Sequence, residues 1–314
     1  MESEFRKDLV SGDWVLIAAG RNNRPHAHKK REDNYQKPED CPFEGATTFI
    51  EVRKNDFPAV VYGACGPVLE RDGYEVTAGV GMHELFVMQN HDRQLSEFSS
   101  QEMGEVMKAY RARYREISQM DNCGQYIMLF NNYGREAGAS VYHPHSQIIS
   151  VPIIPPDVMR SLRGSYDYFK QHEQEAHAVM IERELAYGKR ILFENDQFVA
   201  FCPFVSKQPY EIRIYPKFAG GHFENLEDQS LVPLGEALSG VLKKVHDGLD
   251  DPSYNFFIHT APLHFEHQDL SSDQYYRWHI EILPRVSFDA GFEAGTGIKI
   301  NIIDPDYAAK TLNS

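Results

Sequence analysis

The chain has 314 residues, 42% hydrophobic and 25% charged, with 32 Lys+Arg against 46 Asp+Glu and a net charge of −14. That length holds one large α/β domain or two small ones, with a core large enough to fold without a disulfide or metal. The acidic balance excludes nucleic-acid binding as a main activity, but a small anionic ligand needs only a few local cations and backbone N–H groups.

In chain order, a first strand is expected over residues 14–18 (WVLIA), closed by Gly20. The basic run RNNRPHAHKKR, residues 21–31, follows. In an acidic protein it reads either as a solvated charge run or as an anion grip by Arg21 and Arg24. CPFEG (41–45) lies in a polar loop, and NDFPAV (55–60) comes next. Pro58 favours an extended Phe57, which presents Asn55 and Asp56 at a turn. HELFVMQN from His83 reads as a strand, broken by Asn90-His91-Asp92. Residues 95–98 lead into a helix capped by Ser99 or Ser100, with Glu102 and Glu105 where the helix dipole favours them. Met103, Val106, Met107, Tyr110 and Tyr114 supply its apolar stripe.

A strand, YIMLFNN (126–132), then opens the most informative stretch. A small-residue loop (Gly134, Ala137, Gly138, Ala139, Ser140) runs into a β-branched segment, 148–154, with His143, Pro144, His145, Ser146 and Gln147 at the junction. Residues two apart in an extended chain share a face, so His143, His145 and Gln147 are expected on one side. Two imidazoles and an amide aimed at one spot, beside a glycine loop that exposes N–H groups, read as a site and not as core.

A helix is expected across 156–187 and a β-hairpin over 190–204 around Asn195-Asp196. The earlier order then returns. YEIRIYPK (210–217) is a strand, Gly220-Gly221-His222 a break, 230–249 a helix, YNFFIHT (254–260) a strand, and WHIEILPRV (278–286) a His-bearing strand. Strand, break, helix, strand, loop and His-bearing strand thus occur twice, an internal duplication. The second copy carries His279-x-Glu281, so one active centre per duplicated unit is expected. In the tail, FDAGFEAGTGIKIN (288–301), a glycine loop bears Phe292 and Glu293, which suit a polyhydroxylated ligand by ring stacking and carboxylate acceptance.

Imidazoles serve as base, ligand or nucleophile, and His143 and His145 are expected to divide these jobs. Cys41, Glu44, His91 and His143 are of the right types for a tetrahedral zinc site, although Cys-x-x-Glu is no standard zinc knuckle. That assignment leaves His145 to attack a bound phosphorus in line, with Gln147 donating to the phosphoryl oxygens. One ring nitrogen must attack, so the other should donate, most simply to a backbone carbonyl.

Gly138-x-Ser140-x-x-His143-Pro144-His145-x-Gln147, preceded by Asn132, resembles the active-site motif of the galactose-1-phosphate uridylyltransferase family, a branch of the histidine-triad superfamily. DWVLIAAGRNNRP (13–25), CPFEG, NDFPAV, Asn90-His91, residues 183–190 and HTAP (259–262) fall in the family's order, so the likeness covers essentially the whole chain. The ending AGFEAGTGIKIN resembles a subgroup that includes plant ADP-glucose phosphorylase-like members. The resemblance implies an α+β fold of duplicated histidine-triad-like units, antiparallel sheets with helices packed on one face, divided into halves 1–188 and 189–314. It implies a double displacement: UDP-glucose transfers UMP to His145, and galactose 1-phosphate then takes the uridylyl group. It places Arg21, Arg24, Asn55 and Asp56 on the nucleotide and its phosphates, Asn132, Gly138 and Ser140 at the phosphate site, and Phe288, Phe292 and Glu293 on the hexose. Cys41, His91 and His143 match family zinc ligands, one site per chain. Glu44 replaces the second cysteine, and a second metal site is partly matched by His259, His279 and Glu281. Ser146 stands where the enterobacterial type has glycine. The same chemistry with inorganic phosphate as acceptor, a nucleotide-sugar phosphorylase, is the alternative enzyme reading; a non-catalytic nucleotide-binding protein is the alternative outside enzymes. The family likeness implies a homodimer.

No run of about 18 apolar residues exists to span a membrane, MESEFRKDLV lacks the apolar core of a secretory signal, and Cys41, Cys65, Cys123 and Cys202 make no disulfide framework. A reducing cytoplasm is the expected compartment.

Overall fold

The computed structural model describes residues 3–19, 35–63, 67–120, 124–265 and 270–314. The first half holds β1 (Glu4–Lys7), β2 (Trp14–Ile17), β3 (Ile50–Lys54), β4 (Leu69–Arg71), β5 (Tyr74–Val76), β6 (Met82–Met88), α1 (Ser100–Gln119), β7 (Tyr126–Tyr133) and β8 (His145–Val151). Two helices follow, α2 (Pro156–His172) and α3 (Ala176–Tyr187). The second half holds β9 (Ile191–Glu194), β10 (Phe198–Phe201), β11 (Ile212–Pro216), α4 (Leu231–Gly248), β12 (Tyr254–His259), β13 (His279–Pro284), α5 (Gly291–Thr296), β14 (Lys299–Asn301) and α6 (Pro305–Leu312).

One nine-stranded sheet, ordered β3-β6-β8-β7-β12-β13-β11-β10-β9, runs through both halves, and every neighbouring pair is antiparallel. The order β6-β8-β7 is mirrored as β12-β13-β11 across the β7–β12 seam, where Asn132 lies opposite Asn255 and Phe130 opposite Phe257. The repeat read from the sequence is therefore one sheet assembled from two similar strand sets. One face carries α1, α4 and α6 over the main core, in which Phe86, Ile148, Phe256 and Ile280 are fully buried. Each such side chain contributes about 1.5–3 kcal/mol by leaving water. The expected helix face is this one; α2 and α3 lie against part of the other, where Val158 and Leu162 meet Met128, and Ile181 meets Phe201 and Tyr215.

Local chemistry sets the main elements. The α1 stripe Met103, Val106, Met107, Tyr110, Tyr114 and Ile117 is buried at helical spacing. Ser99 caps the helix reciprocally with Glu102, and Arg93 clamps the same carboxylate. The single helix expected over 156–187 is two. Glu173 adopts φ 54°, left-handed, and turns the chain between α2 and α3 without a glycine or proline to announce it. The tail expected as a glycine loop folds into the short α5 and then β14, which pairs in parallel with β2. No helix among the described residues is long and apolar enough to cross a membrane.

The two core helices cross at glycines. A Cβ on Gly235 would stand 2.5 Å from the Gly104 nitrogen and 2.6 Å from the Ser100 carbonyl oxygen, both backbone atoms. Gly235→Ala should therefore push α4 off α1 and lower stability by about 1–3 kcal/mol. Chemical denaturation checks this; an unchanged midpoint would show that the crossing relaxes freely.

Candidate active site and metal centre

The face of the sheet away from α1 and α4 carries His145, Gln147 and Ile149 of β8 and, beside them, His83, Leu85 and Val87 of β6. The alternate residues of β8 point into the core, where Ser146 accepts from Tyr110 Oη–H. Asn131 Nδ2 donates to the His145 carbonyl (2.7 Å) and to Ser146 Oγ (3.1 Å), pinning the start of β8 from β7.

His145 is 7% exposed. Its Nδ1 lies 2.8 Å from the His143 carbonyl, which only accepts, so the proton sits on Nδ1 and the lone pair on Nε2. Burial lowers the His145 pKa, the His143 carbonyl offsets part of this, and the neighbouring His143 ring adds to it. A neutral imidazole with a fixed tautomer and an available Nε2 is the form a nucleophile requires. Phe43, from the CPFEG loop, packs edge-on against the His145 ring with centroids 4.9 Å apart.

His143 does not share that face. It precedes β8, and its ring turns to Cys41 and His91. The two-residue period holds only once the chain is extended, and the strand starts at His145. The His91 and His143 Nδ1 atoms stand 3.2 Å apart, Cys41 Sγ is 3.6 Å from His143 Nδ1, and Glu44 Oε1 lies 2.9 Å from His91 Nδ1 and 3.7 Å from His143 Nδ1. The other ring nitrogens are committed: His91 Nε2 to the Gln36 carbonyl and His143 Nε2 to the Met88 carbonyl, both at 2.6 Å. Both Nδ1 lone pairs thus converge on one point, an arrangement that repels unless a cation sits between them. Carbonyl acceptors behind the rings are what metal-binding histidines use to fix their tautomers. Burial pushes the Cys41 thiol up and the His143 pKa down, and a bound cation would draw a thiolate from the first. Cys41, His91 and His143 bring ligand atoms within 4.8 Å of one another, two nitrogens and a sulfur of the types that hold a metal, and Glu44 Oε1 lies beside the two rings.

Loop 134–140 arches beside His145. Gly134 (φ 79°) and Gly138 (φ 87°) take left-handed conformations that favour glycine. Asn132 reaches under it: its Oδ1 accepts from Asn255 Nδ2 (2.8 Å), which also donates to the Ala137 carbonyl (2.8 Å). The Asn132 amide N–H groups are thereby left toward Gly138 and the loop. Ser140 is exposed at the loop's end. Asn55 sits beside His83 with its Oδ1 accepting from the Phe57 N–H (2.9 Å), and Asp56 is exposed in the same turn. Arg21 and Arg24 lie outside the described residues. Phe288 and Phe292 are exposed, 71% and 45%, and the Glu293 carboxylate caps α5 by accepting from the Ala290 N–H (3.0 Å). No hydrogen bond or ring contact joins these three to His145 among the described residues.

Sequence reasoning missed Phe43, His83 and Asn255 as site neighbours. Each acts through a partner distant in the chain; only the repeat, which aligns Asn255 with the strand bearing Asn132, gave a signal for one of them.

The same sheet face in the second half holds a cavity of about 370 Å³ that includes His177, Arg213, His259, His279 and Glu281. His279 repeats the His145 contact, with Nδ1 3.1 Å from the carbonyl two residues earlier. His259, His279 and Glu281 bring ligand atoms within 4.8 Å of one another. Here, however, Arg213 Nε lies 3.4 Å from Glu281 and competes for that carboxylate. Burial, with Arg213 and Lys207 adding, takes the His259 pKa down to about 3.

A twice-repeated antiparallel sheet unit, with a tautomer-locked histidine beside a glycine loop in one copy, defines a duplicated protein of the histidine-triad superfamily. The family model of the galactose-1-phosphate uridyl transferase N-terminal domain matches residues 1–155, and that of a domain of unknown function (DUF4921) matches residues 79–313. An ADP-glucose phosphorylase from Arabidopsis thaliana is 34% identical over 331 residues, 98% of this chain and 92% of its own. A galactose-1-phosphate uridylyltransferase from Thermotoga maritima is 25% identical over 98% of this chain and 97% of its own. The crystal structure of an ADP-glucose phosphorylase from Arabidopsis thaliana with bound ADP-glucose superposes with a TM-score of 0.83 at 30% identity, covering 100% of this chain and 99% of that one. The chain belongs to the galactose-1-phosphate uridylyltransferase family and is a nucleotidyltransferase of that family.

Proposed function

We propose that this enzyme moves a nucleoside monophosphate from a nucleotide sugar to a phosphate acceptor through a covalent intermediate on His145. The observation that carries the reading is the buried, neutral His145 with its proton held on Nδ1 by the His143 carbonyl. The Nε2 lone pair attacks the α-phosphorus, the bond to the β-phosphate oxygen breaks, and sugar 1-phosphate leaves with the electron pair. The acceptor's phosphate oxygen then attacks the same phosphorus and displaces Nε2. Gln147, Asn132 and the N–H groups around Gly138 and Ser140 neutralise charge on the phosphoryl oxygens in both steps. Arg21, Arg24, Asn55 and Asp56 hold the nucleotide in this proposal, and Phe288, Phe292 and Glu293 the hexose.

The first substrate pair is UDP-glucose as donor and galactose 1-phosphate as acceptor. The likeness to ADP-glucose phosphorylase, 34% against 25% for the uridylyltransferase, favours a second pair with the same histidine: ADP-glucose and inorganic phosphate. Zinc held by Cys41, Glu44, His91 and His143 would act as a structural brace for the CPFEG loop, and the proposal includes a homodimer.

Mixing the enzyme with either donor labelled in its α-phosphate should attach label to the protein, and the acceptor that discharges it identifies the reaction. If neither donor labels the protein, the covalent route is wrong and a nucleotide-binding role takes its place.

A further inference from the structure

We infer that His83 is the positioning residue for the Gln147 amide, and that its tautomer decides which end of that amide faces the phosphate. The inference rests on the proposed role of His145.

His83 is buried on β6, on the same sheet face as His145 and Gln147. Three polar groups meet its ring. The Ala59 N–H donates to Nδ1 (3.0 Å), Gln147 Oε1 lies 2.9 Å from Nε2, and Asn55 Nδ2 lies 3.0 Å from the same nitrogen. A neutral imidazole has one N–H and one lone pair. With the proton on Nε2, the ring accepts from Ala59 and donates to Gln147, and only the Asn55 contact is mismatched. With the proton on Nδ1, it would satisfy Asn55 alone, while the Ala59 N–H would face an N–H and the Gln147 oxygen a lone pair. Two matches against one select the Nε2–H form.

The amides follow from that choice. Gln147 Oε1 is held by His83, so the Gln147 N–H groups are the end left for a phosphoryl oxygen beside His145. Asn55 Oδ1 is already held by the Phe57 N–H, and its own N–H groups gain nothing from His83. His83 thus turns the Gln147 amide donor-outward, while the Asn55 amide is set by the Phe57 N–H. Without His83, the Gln147 amide can rotate to set its oxygen against phosphoryl oxygens, where like partial charges repel.

Single-turnover labelling by saturating nucleotide sugar carrying α-³²P, with UDP-glucose and ADP-glucose as the probes, tests this on four proteins: wild type, His83→Leu, Gln147→Ala and the double variant. His83→Leu should slow labelling by about 10- to 100-fold, the range for lost orienting partners, with donor affinity changed less than about threefold. On the Gln147→Ala background the same change should add little, because the group it orients is gone. His83→Gln, which keeps an N–H donor at a similar reach, should recover most of the rate; His83→Asn, too short to reach, should not. That pair stands in if the leucine variant does not fold. Losses that multiply in the double variant, or equal rates for the Gln and Asn variants, overturn the role of His83 while leaving His145 in place. A wild-type protein that takes no label overturns both.

Discussion

His145→Gln should abolish nucleotidyl transfer, a loss of about 10⁴-fold or more, as expected when the nucleophile of a covalent route is removed. Glutamine can keep a hydrogen bond to the His143 carbonyl and about the same volume, so the fold should survive; its amide nitrogen has no lone pair to offer phosphorus. The variant should take no label from a nucleotide sugar, yet still bind one, because Asn132, Gln147 and the Gly138 loop are untouched. A labelled His145→Gln protein would place the nucleophile elsewhere. The pH dependence follows from the same ring. Protonation removes the Nε2 lone pair, so labelling falls as pH drops through the His145 pKa. Burial holds that pKa below the ordinary 6.5, so the acid limb of the labelling rate in free enzyme should lie below pH 6.5. A limb above that value would mean that another group controls the step.

The sequence made some parts of this arrangement legible because they are local. The α1 stripe follows from a 3.6-residue period, its cap from Ser99 and Glu102, and the repeat from recurring strand-break-helix order. The His-Pro-His-x-Gln run and its glycine loop point to a site for the same reason. What was hidden depends on pairing at a distance. Nothing in YIMLFNN or YNFFIHT says that the two strands lie side by side and join the repeats into one sheet. His143 was expected beside His145, but the strand begins one residue after Pro144, so the two rings part. His83 looks like the first residue of a buried strand until Ala59 and Gln147 are placed against it. Glu173 ends α2 in a conformation that glycine usually supplies, and so left no mark in the composition.

Loss of the proposed metal should be the second large effect, and it should reach His145 through the loop that bears Cys41 and Glu44. Cys41 and Glu44 bracket Phe43, whose ring meets His145 on one side and His143 on the other, with centroids 4.9 and 6.2 Å apart. A metal that joins Cys41 and Glu44 to His91 and His143 therefore fixes the wall against which the nucleophile rests. In its absence the two Nδ1 lone pairs, 3.2 Å apart, must separate or gain a proton, and Cys41 remains a buried thiol. His91→Ala should release the metal and lower the melting temperature by roughly 5 °C or more, corresponding to a few kcal/mol in a chain of this size. A chelator should shift the wild type by the same amount and leave the variant unchanged. Labelling should slow about 10-fold without stopping, because His145 keeps its own partners at the His143 carbonyl. Glu44→Ala should fall between: its carboxylate is the most exposed of the four proposed ligands, 38% against 6% for His91, and water can take its place. Metal content by elemental analysis, read beside the melting curves, separates the cases. Wild-type metal content in His91→Ala, or a melting temperature indifferent to the chelator, would leave the four-residue cluster as a hydrogen-bonded knot with no ion in it.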